Sequence, residues 1–110
     1  MLFSRALFAS LRPRIQIDIL SKPDCSLCDK AEWAIARLLQ NMSAQHGGSV
    51  DLLLKKVNIE EHPELLDEFS LTIPVVRVDG QTVLESVIDI PQLRVKIEGK
   101  LEKFRHYLIR

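Results

Sequence analysis

After Pro13 the chain reads IQIDIL, with Ile15, Ile17 and Ile19 alternating with Gln16 and Asp18. A two-residue period puts alternate side chains on one face of a strand, so residues 15–20 are predicted to be one. Ser21 to Asp24 interrupts the pattern with a lysine and a proline. From Cys28 the apolar positions are Cys28, Ala31, Ile35, Leu38 and Met42, at spacings of 3, 4, 3 and 4. Ala34 and Leu39 widen that stripe, which predicts an amphipathic helix over 26 to about 44 with one face on a core. QHGGS (45–49) ends it, because Gly47 and Gly48 can take the left-handed conformation that helix ends favour.

The second half alternates in the same way. DLLLKKVNI (51–59) is short, apolar and bounded by turn signals, and predicts a buried strand. PELLDEF (63–69) starts with a proline suited to the first helical position, followed by acids that favour a helix N-terminus. LTIPVVRV (71–78) and QTVLESV (81–87) are β-branched runs joined by Asp79-Gly80, a strong hairpin signal. Asp89 and Pro91 open a final helix with Leu93, Ile97, Leu101, Phe104 and Leu108 on one stripe, weakened at Gly99. The order is β-α-β-α-β-β-α. A strand-helix-strand unit implies parallel strands with a right-handed crossover, and the terminal hairpin adds an antiparallel pair. An α/β fold follows, with a four-stranded mixed sheet flanked by three helices and with both faces of the sheet covered.

A chain of 110 residues suits one domain with a core of its own. No run approaches eighteen consecutive apolar residues, so no membrane span is expected. Fifteen basic and fifteen acidic side chains cancel, which lacks the basic excess of a nucleic-acid binder. The cancellation hides an asymmetry. MLFSRALFASLRPR (1–14) holds Arg5, Arg12 and Arg14, two serines and no acid. On a helix, Phe3, Ala6, Leu7 and Leu11 share one arc, with Arg5 and Arg12 opposite. That is the profile of a mitochondrial presequence, or else of a disordered basic N-terminus ahead of a domain at 15–110. The expected location is mitochondrial in the first case and cytoplasmic in the second.

Cys25 and Cys28, in SKPDCSLCDK (21–30), are the only cysteines. Three readings compete for them. As a redox pair, Cys25 lies at the first helical turn, where unpaired N–H groups and the helix dipole stabilise a nucleophilic thiolate. Cys28, one turn further in, starts the apolar stripe and serves as the resolving thiol. Lys22 adds a nearby positive charge, whereas Asp24 and Asp29 oppose a thiolate. As metal ligands, the pair supplies half of a tetrahedral site. No second CxxC exists, and His46, His62 and His106 lack ligand-like spacing, so no metal residues are expected within one chain. As structural residues, the pair closes too short a loop to remove much chain entropy. A CxxC beside a βαβ unit favours the redox reading.

With Lys22, Cys25-Ser26-Leu27-Cys28 and Thr72-Ile73-Pro74 set on this order of elements, the chain resembles the glutaredoxins of the thioredoxin-fold superfamily. It is most similar to the small glutaredoxin-like family, in which an NIEEHPEL-type segment and a xIPVVxVDG hairpin follow the CxxC helix. The resemblance covers about residues 15 to 108. It implies a cis bond between Ile73 and Pro74 facing the cysteines, with the Ile73 backbone presented to a bound thiol peptide. It further implies that Lys22, Thr72, Ile73 and Pro74 support the thiolate and the substrate groove. Ser26-Leu27 replace the Pro-Tyr common between glutaredoxin cysteines. LESVIDIPQ (84–92) lacks the Gly-Gly pair that binds the γ-glutamyl end of glutathione, although Asp89 offers an acid there. Trp33 is not directly before the first cysteine, where thioredoxins place theirs, and is expected to pack at the margin of its helix's stripe.

The expected function is that of a monomeric thiol-disulfide oxidoreductase acting through Cys25 and Cys28. It binds no cofactor, takes a disulfide-containing protein or small molecule as substrate, and draws electrons from glutathione or another thiol. The alternative is a thioredoxin-fold binding module, or a protein that shares a metal or iron–sulfur cluster through the same pair.

Overall fold

The structure is a computed structural model, and it describes residues 12–109, with side chains described through Arg105. The presequence expectation falls mainly on residues 1–11, which lie outside the described residues. Strand β1 (Arg14–Ser21) leads to helix α1 (Ser26–Gln45) and strand β2 (Asp51–Asn58). A single 3-10 turn at Ile59–Glu61 and a short helix α2 (Pro63–Phe69) follow. Strands β3 (Val75–Val78) and β4 (Gln81–Glu85) and helix α3 (Ile90–Ile109) complete the chain.

The sheet order is β2-β1-β3-β4. Strand β1 pairs in parallel with β2, Arg14 opposite Asp51 and Ser21 opposite Asn58, and antiparallel with β3, Leu20 opposite Val75. The β3–β4 hairpin turns at Asp79 and Gly80, whose φ values of +49° and +83° are those a two-residue primed turn demands. The mixed α/β sheet with three helices is as expected.

Its two faces are unequally covered. Ile15, Ile17 and Ile19 point to one face, where they meet Ile35, Leu38, Leu39 and Met42 of α1 and Leu93, Ile97 and Leu101 of α3. Leu20, turned the other way, meets Ile59, Phe69 and Val75 in a smaller cluster closed by α2. With only seven residues, α2 covers one end of that second face rather than the whole of it. Arg77 joins it there, its guanidinium 5.3 Å from the centre of the Phe69 ring.

Several boundaries move. β2 is a half-buried edge strand rather than a buried one, because it pairs with β1 alone and Leu53, Lys55 and Lys56 are exposed. It ends at Asn58, whose side chain accepts from the Glu60 N–H at 3.0 Å and turns the chain into the 3-10 segment. β3 is only four residues long. Residues 71–74, read as strand, form a turn that ends in the proline, which has no N–H to give a ladder. β4 stops at Glu85 because Ser86 adopts φ +64° and turns the chain back. Helix α3 starts at Ile90, with Asp89 accepting from the Gln92 N–H at 3.1 Å.

Because Ile17 has no exposed surface and touches the main core, Ile17→Ala is expected to destabilise the protein by about 2–5 kcal/mol. Leu71, 95% exposed, is the control, and Leu71→Ala is expected to change stability by no more than about 0.5 kcal/mol. Urea unfolding midpoints at unchanged slope measure both.

Candidate redox site

The site begins where β1 ends. Pairing with β2 and β3 carries β1 to Ser21, which is buried, and the chain must then reverse to lay α1 across the sheet. The reversal uses Asp24 at φ +61°, a conformation that aspartate tolerates better than most residues. Cys25 follows in extended conformation as the N-cap of α1. Its Sγ accepts the Cys28 N–H at 3.1 Å, and its carbonyl accepts the Asp29 N–H at 3.1 Å. A cysteine thus occupies the place that Ser, Thr, Asp or Asn usually takes, with sulfur as the capping acceptor.

Cys25 and Cys28 are joined by a disulfide, and their Cα atoms are 5.2 Å apart, inside the span such a bond requires. Cys25 is partly open to solvent, while Cys28 has no exposed surface. Leu27 between them projects into solvent.

Asp29 follows Cys28, and its carboxylate would oppose a thiolate if it stood alone. It does not. Lys56 of β2 donates to Asp29 at 3.0 Å and lies 3.4 Å from Glu32, so it holds one positive charge between two acids. Lys56 keeps its proton above the ordinary lysine range, first through the hydrogen bond to Asp29, which outweighs a loss of hydration, and then through the charges of Glu32 and Asp29. This ion pair was not visible in the sequence, since the partners lie 27 residues apart and only the packing of α1 against β2 brings them together. Lys22 lines a shallow polar cleft of about 240 Å³ that includes Asp24, Asp29, Lys56 and Asn58.

The Ile73–Pro74 bond is cis. Pro74 is buried, and Thr72 and Ile73 are half-buried just ahead of β3. Ser86 fastens this loop: its N–H donates to the carbonyls of Thr72 and Pro74, each at 2.9 Å, and its Oγ donates to Thr72 O at 3.1 Å. Sequence reasoning missed Ser86, and its place inside the predicted β-branched run 81–87 gave no signal of the role. The antiparallel pairing of Leu20 with Val75 puts the proline loop at the same end of the sheet as the β1–α1 turn. The structure therefore gathers Lys22, Cys25, Cys28, Thr72, Ile73 and Pro74 at one sheet end. Among the described residues no group of three or more His, Cys, Asp or Glu side chains is disposed to hold a metal ion. Nor is any described helix long and apolar enough to cross a membrane. Trp33 does not pack at the margin of its stripe as expected. It is 64% exposed, with the Arg37 guanidinium 4.8 Å from its ring centre.

A CxxC disulfide at the N-terminus of α1, on a four-stranded mixed sheet with three helices among the described residues, defines a thioredoxin-type protein with a redox-type site. Solved structures share this fold. The target protein XcR50 from X. campestris superposes with a TM-score of 0.57 at 24% identity, over 76% of this chain and 96% of that one. Thioredoxin 1 from the thermophilic eubacterium Thermosipho africanus TCF52B gives 0.51 at 18% identity, over 79% and 94%. A point-mutant thioredoxin from Halobacterium salinarum NRC-1 gives 0.52 at 19%, over 83% and 78%. No curated protein matches the chain in sequence. The model of the glutaredoxin-like domain (DUF836) matches residues 16–98, and the chain belongs to this glutaredoxin-like family.

If Lys56 offsets the Asp29 charge, removing either partner shifts Cys25 in opposite directions. In the reduced protein at neutral pH, Lys56→Met is expected to slow iodoacetamide alkylation of Cys25 by about two- to fivefold, and Asp29→Asn to speed it by a similar factor. Equal rates in both variants would show that the pair does not act on the thiol.

Proposed function

We propose that the protein is a thiol-disulfide oxidoreductase in which Cys25 is the nucleophile and Cys28 the resolving thiol. The observation that carries this reading is the asymmetry of the pair. Cys25 sits half-open at the helix cap, where the Cys28 N–H and the helix N-terminus favour a sulfur anion, and Cys28 lies wholly inside.

The reaction runs in two exchanges. The reduced Cys25 thiolate attacks one sulfur of a substrate disulfide. That S–S bond breaks, the departing sulfur leaves as a thiolate and takes up a proton, and Cys25 is left in a mixed disulfide. Cys28 then loses its proton and attacks Cys25 Sγ, expelling the second substrate thiol. Two electrons have passed to the substrate, and the Cys25–Cys28 disulfide seen here is the oxidised end state. Two molecules of a thiol such as glutathione return the electrons by the same exchanges in reverse and leave as their own disulfide. Lys22 and the Thr72-Ile73-Pro74 loop flank the approach to Cys25 and shape the groove in which the substrate disulfide lies. The absence of a glycine pair in 84–92 leaves the γ-glutamyl half of a glutathione site without its usual donors, so glutathione serves as a reductant in solution rather than as a tightly held ligand.

The test uses two variants of the full chain. Cys28→Ser mixed with 2-hydroxyethyl disulfide or insulin is expected to accumulate a mixed disulfide at Cys25, detected as an intact-mass adduct. Cys25→Ser is expected to form none, and to lose turnover by on the order of a thousandfold. An adduct on Cys28 in preference to Cys25 would reverse the assignment, and no adduct with either disulfide would leave the fold as a binding module.

A further inference from the structure

Away from the cysteines, α1 and α3 leave a hollow of about 480 Å³ open to solvent. Trp33 and Leu38 from α1 and Ile90, Pro91 and Val95 from α3 make it overwhelmingly apolar. Trp33 and Val95, 64% and 65% exposed, form its rim. Its charged members are Arg37 and Arg94, the latter shared with Glu98 at 3.5 Å, and no carboxylate among the described residues lines it. Val95 also borders a second hollow of about 340 Å³, between α3 and the β3–β4 hairpin, which Lys96, Lys100 and Lys103 edge. Lys100 is committed to Asp79 at 3.0 Å, whereas Lys96 and Lys103 make no ion pair among the described residues. An apolar recess on one flank of α3 and a lysine-edged one on the other thus meet only at Val95 on the outer crest of the helix, in a protein whose formal net charge is zero.

We propose that this surface docks an acidic segment of a partner protein, with an apolar side chain seated against Trp33 and carboxylates reaching Lys96 and Lys103. The charge pattern selects this occupant. A second copy of the chain would bring lysines and arginines against their like. The chain's own residues 1–11 carry Arg5 and no acid, so they are repelled as well. A bilayer needs a projecting apolar face, and this one is recessed between two helices. Trp33 lies eight residues beyond Cys25 on α1, roughly 12 Å along the axis, so a partner held here remains free to reach the cysteines without covering them. Bulky aromatics with a nearby guanidinium are also the residues that most often anchor protein interfaces.

Trp33 is the sole tryptophan, so its emission reports on this surface alone. The full-length protein is titrated with a short synthetic peptide bearing a Leu-Phe pair flanked by glutamates, and with its lysine-flanked analogue. The acidic peptide is expected to give a saturable blue shift that weakens with added salt, and the basic one none. Lys96→Glu combined with Lys103→Glu, both at exposed positions, is expected to weaken the acidic peptide roughly tenfold. Equal response to both peptides, or none to either, overturns the proposal. So does a shift produced by protein concentration alone, or by phosphatidylserine vesicles while the peptide has no effect. No cysteine takes part in this readout, so its failure leaves the redox reading standing, and failure of the redox reading leaves this one.

Discussion

Strand β1 is held on both edges and on both faces, and the position of the cysteines depends on it. Its neighbours are β2 on one side and β3 on the other, and its isoleucines face α1 and α3 while Leu20 faces the α2 cluster. A strand so enclosed cannot slip by one residue without turning three isoleucines out of the core. Its C-terminal end is therefore fixed in space, and with it the turn at Asp24 and the first residue of α1. Cys25 is carried to its place by the packing of β1 and then held there by the N–H groups of Cys28 and Asp29. The same register brings the Pro74 loop beside it, since Val75 must pair with Leu20.

What the fixed frame positions is a balance of charge around one sulfur. The helix N-terminus and the Cys28 N–H favour an anion on Cys25, and Asp24 and Asp29 act against it. Lys56, reaching across from β2, offsets Asp29 and shares itself with Glu32. All three of these side chains are open to water, so each effect is modest and salt-sensitive. The strong discrimination between the two cysteines comes from burial. Cys28 belongs to the inward stripe of α1 and has no exposed surface, whereas Cys25 is partly open to solvent.

Much of this was legible from period and spacing. The isoleucine alternation located β1, the 3, 4, 3, 4 stripe located α1, and Asp79-Gly80 located the hairpin, because each signal is local. The misreadings share a cause: they concern what a segment packs against. DLLLKKVNI is apolar enough for a central strand, and only the sheet order makes it an edge. LTIPVVRV has strand composition throughout, yet its first half is a loop held by Ser86 from another part of the chain. Trp33 reads as a marginal core residue by periodicity, but no element among the described residues covers that flank of α1. The Asp29–Lys56 pair was hidden for the same reason, since sequence distance says nothing about which helix face meets which strand. Within the site, the cysteines and the proline loop were legible through the family's motif, and their electrostatic surroundings were not.

The central claim is that Cys25 and Cys28 cycle between dithiol and disulfide under physiological reductants. Equilibrating the full-length protein in glutathione buffers of graded ratio, trapping free thiols with an alkylating reagent and weighing the products tests it most directly. A single two-electron transition between fully alkylated and unmodified cysteines is expected, with a midpoint between roughly −300 and −120 mV. Thiols that stay reduced across that range, or a bond that survives the most reducing buffer, would contradict it.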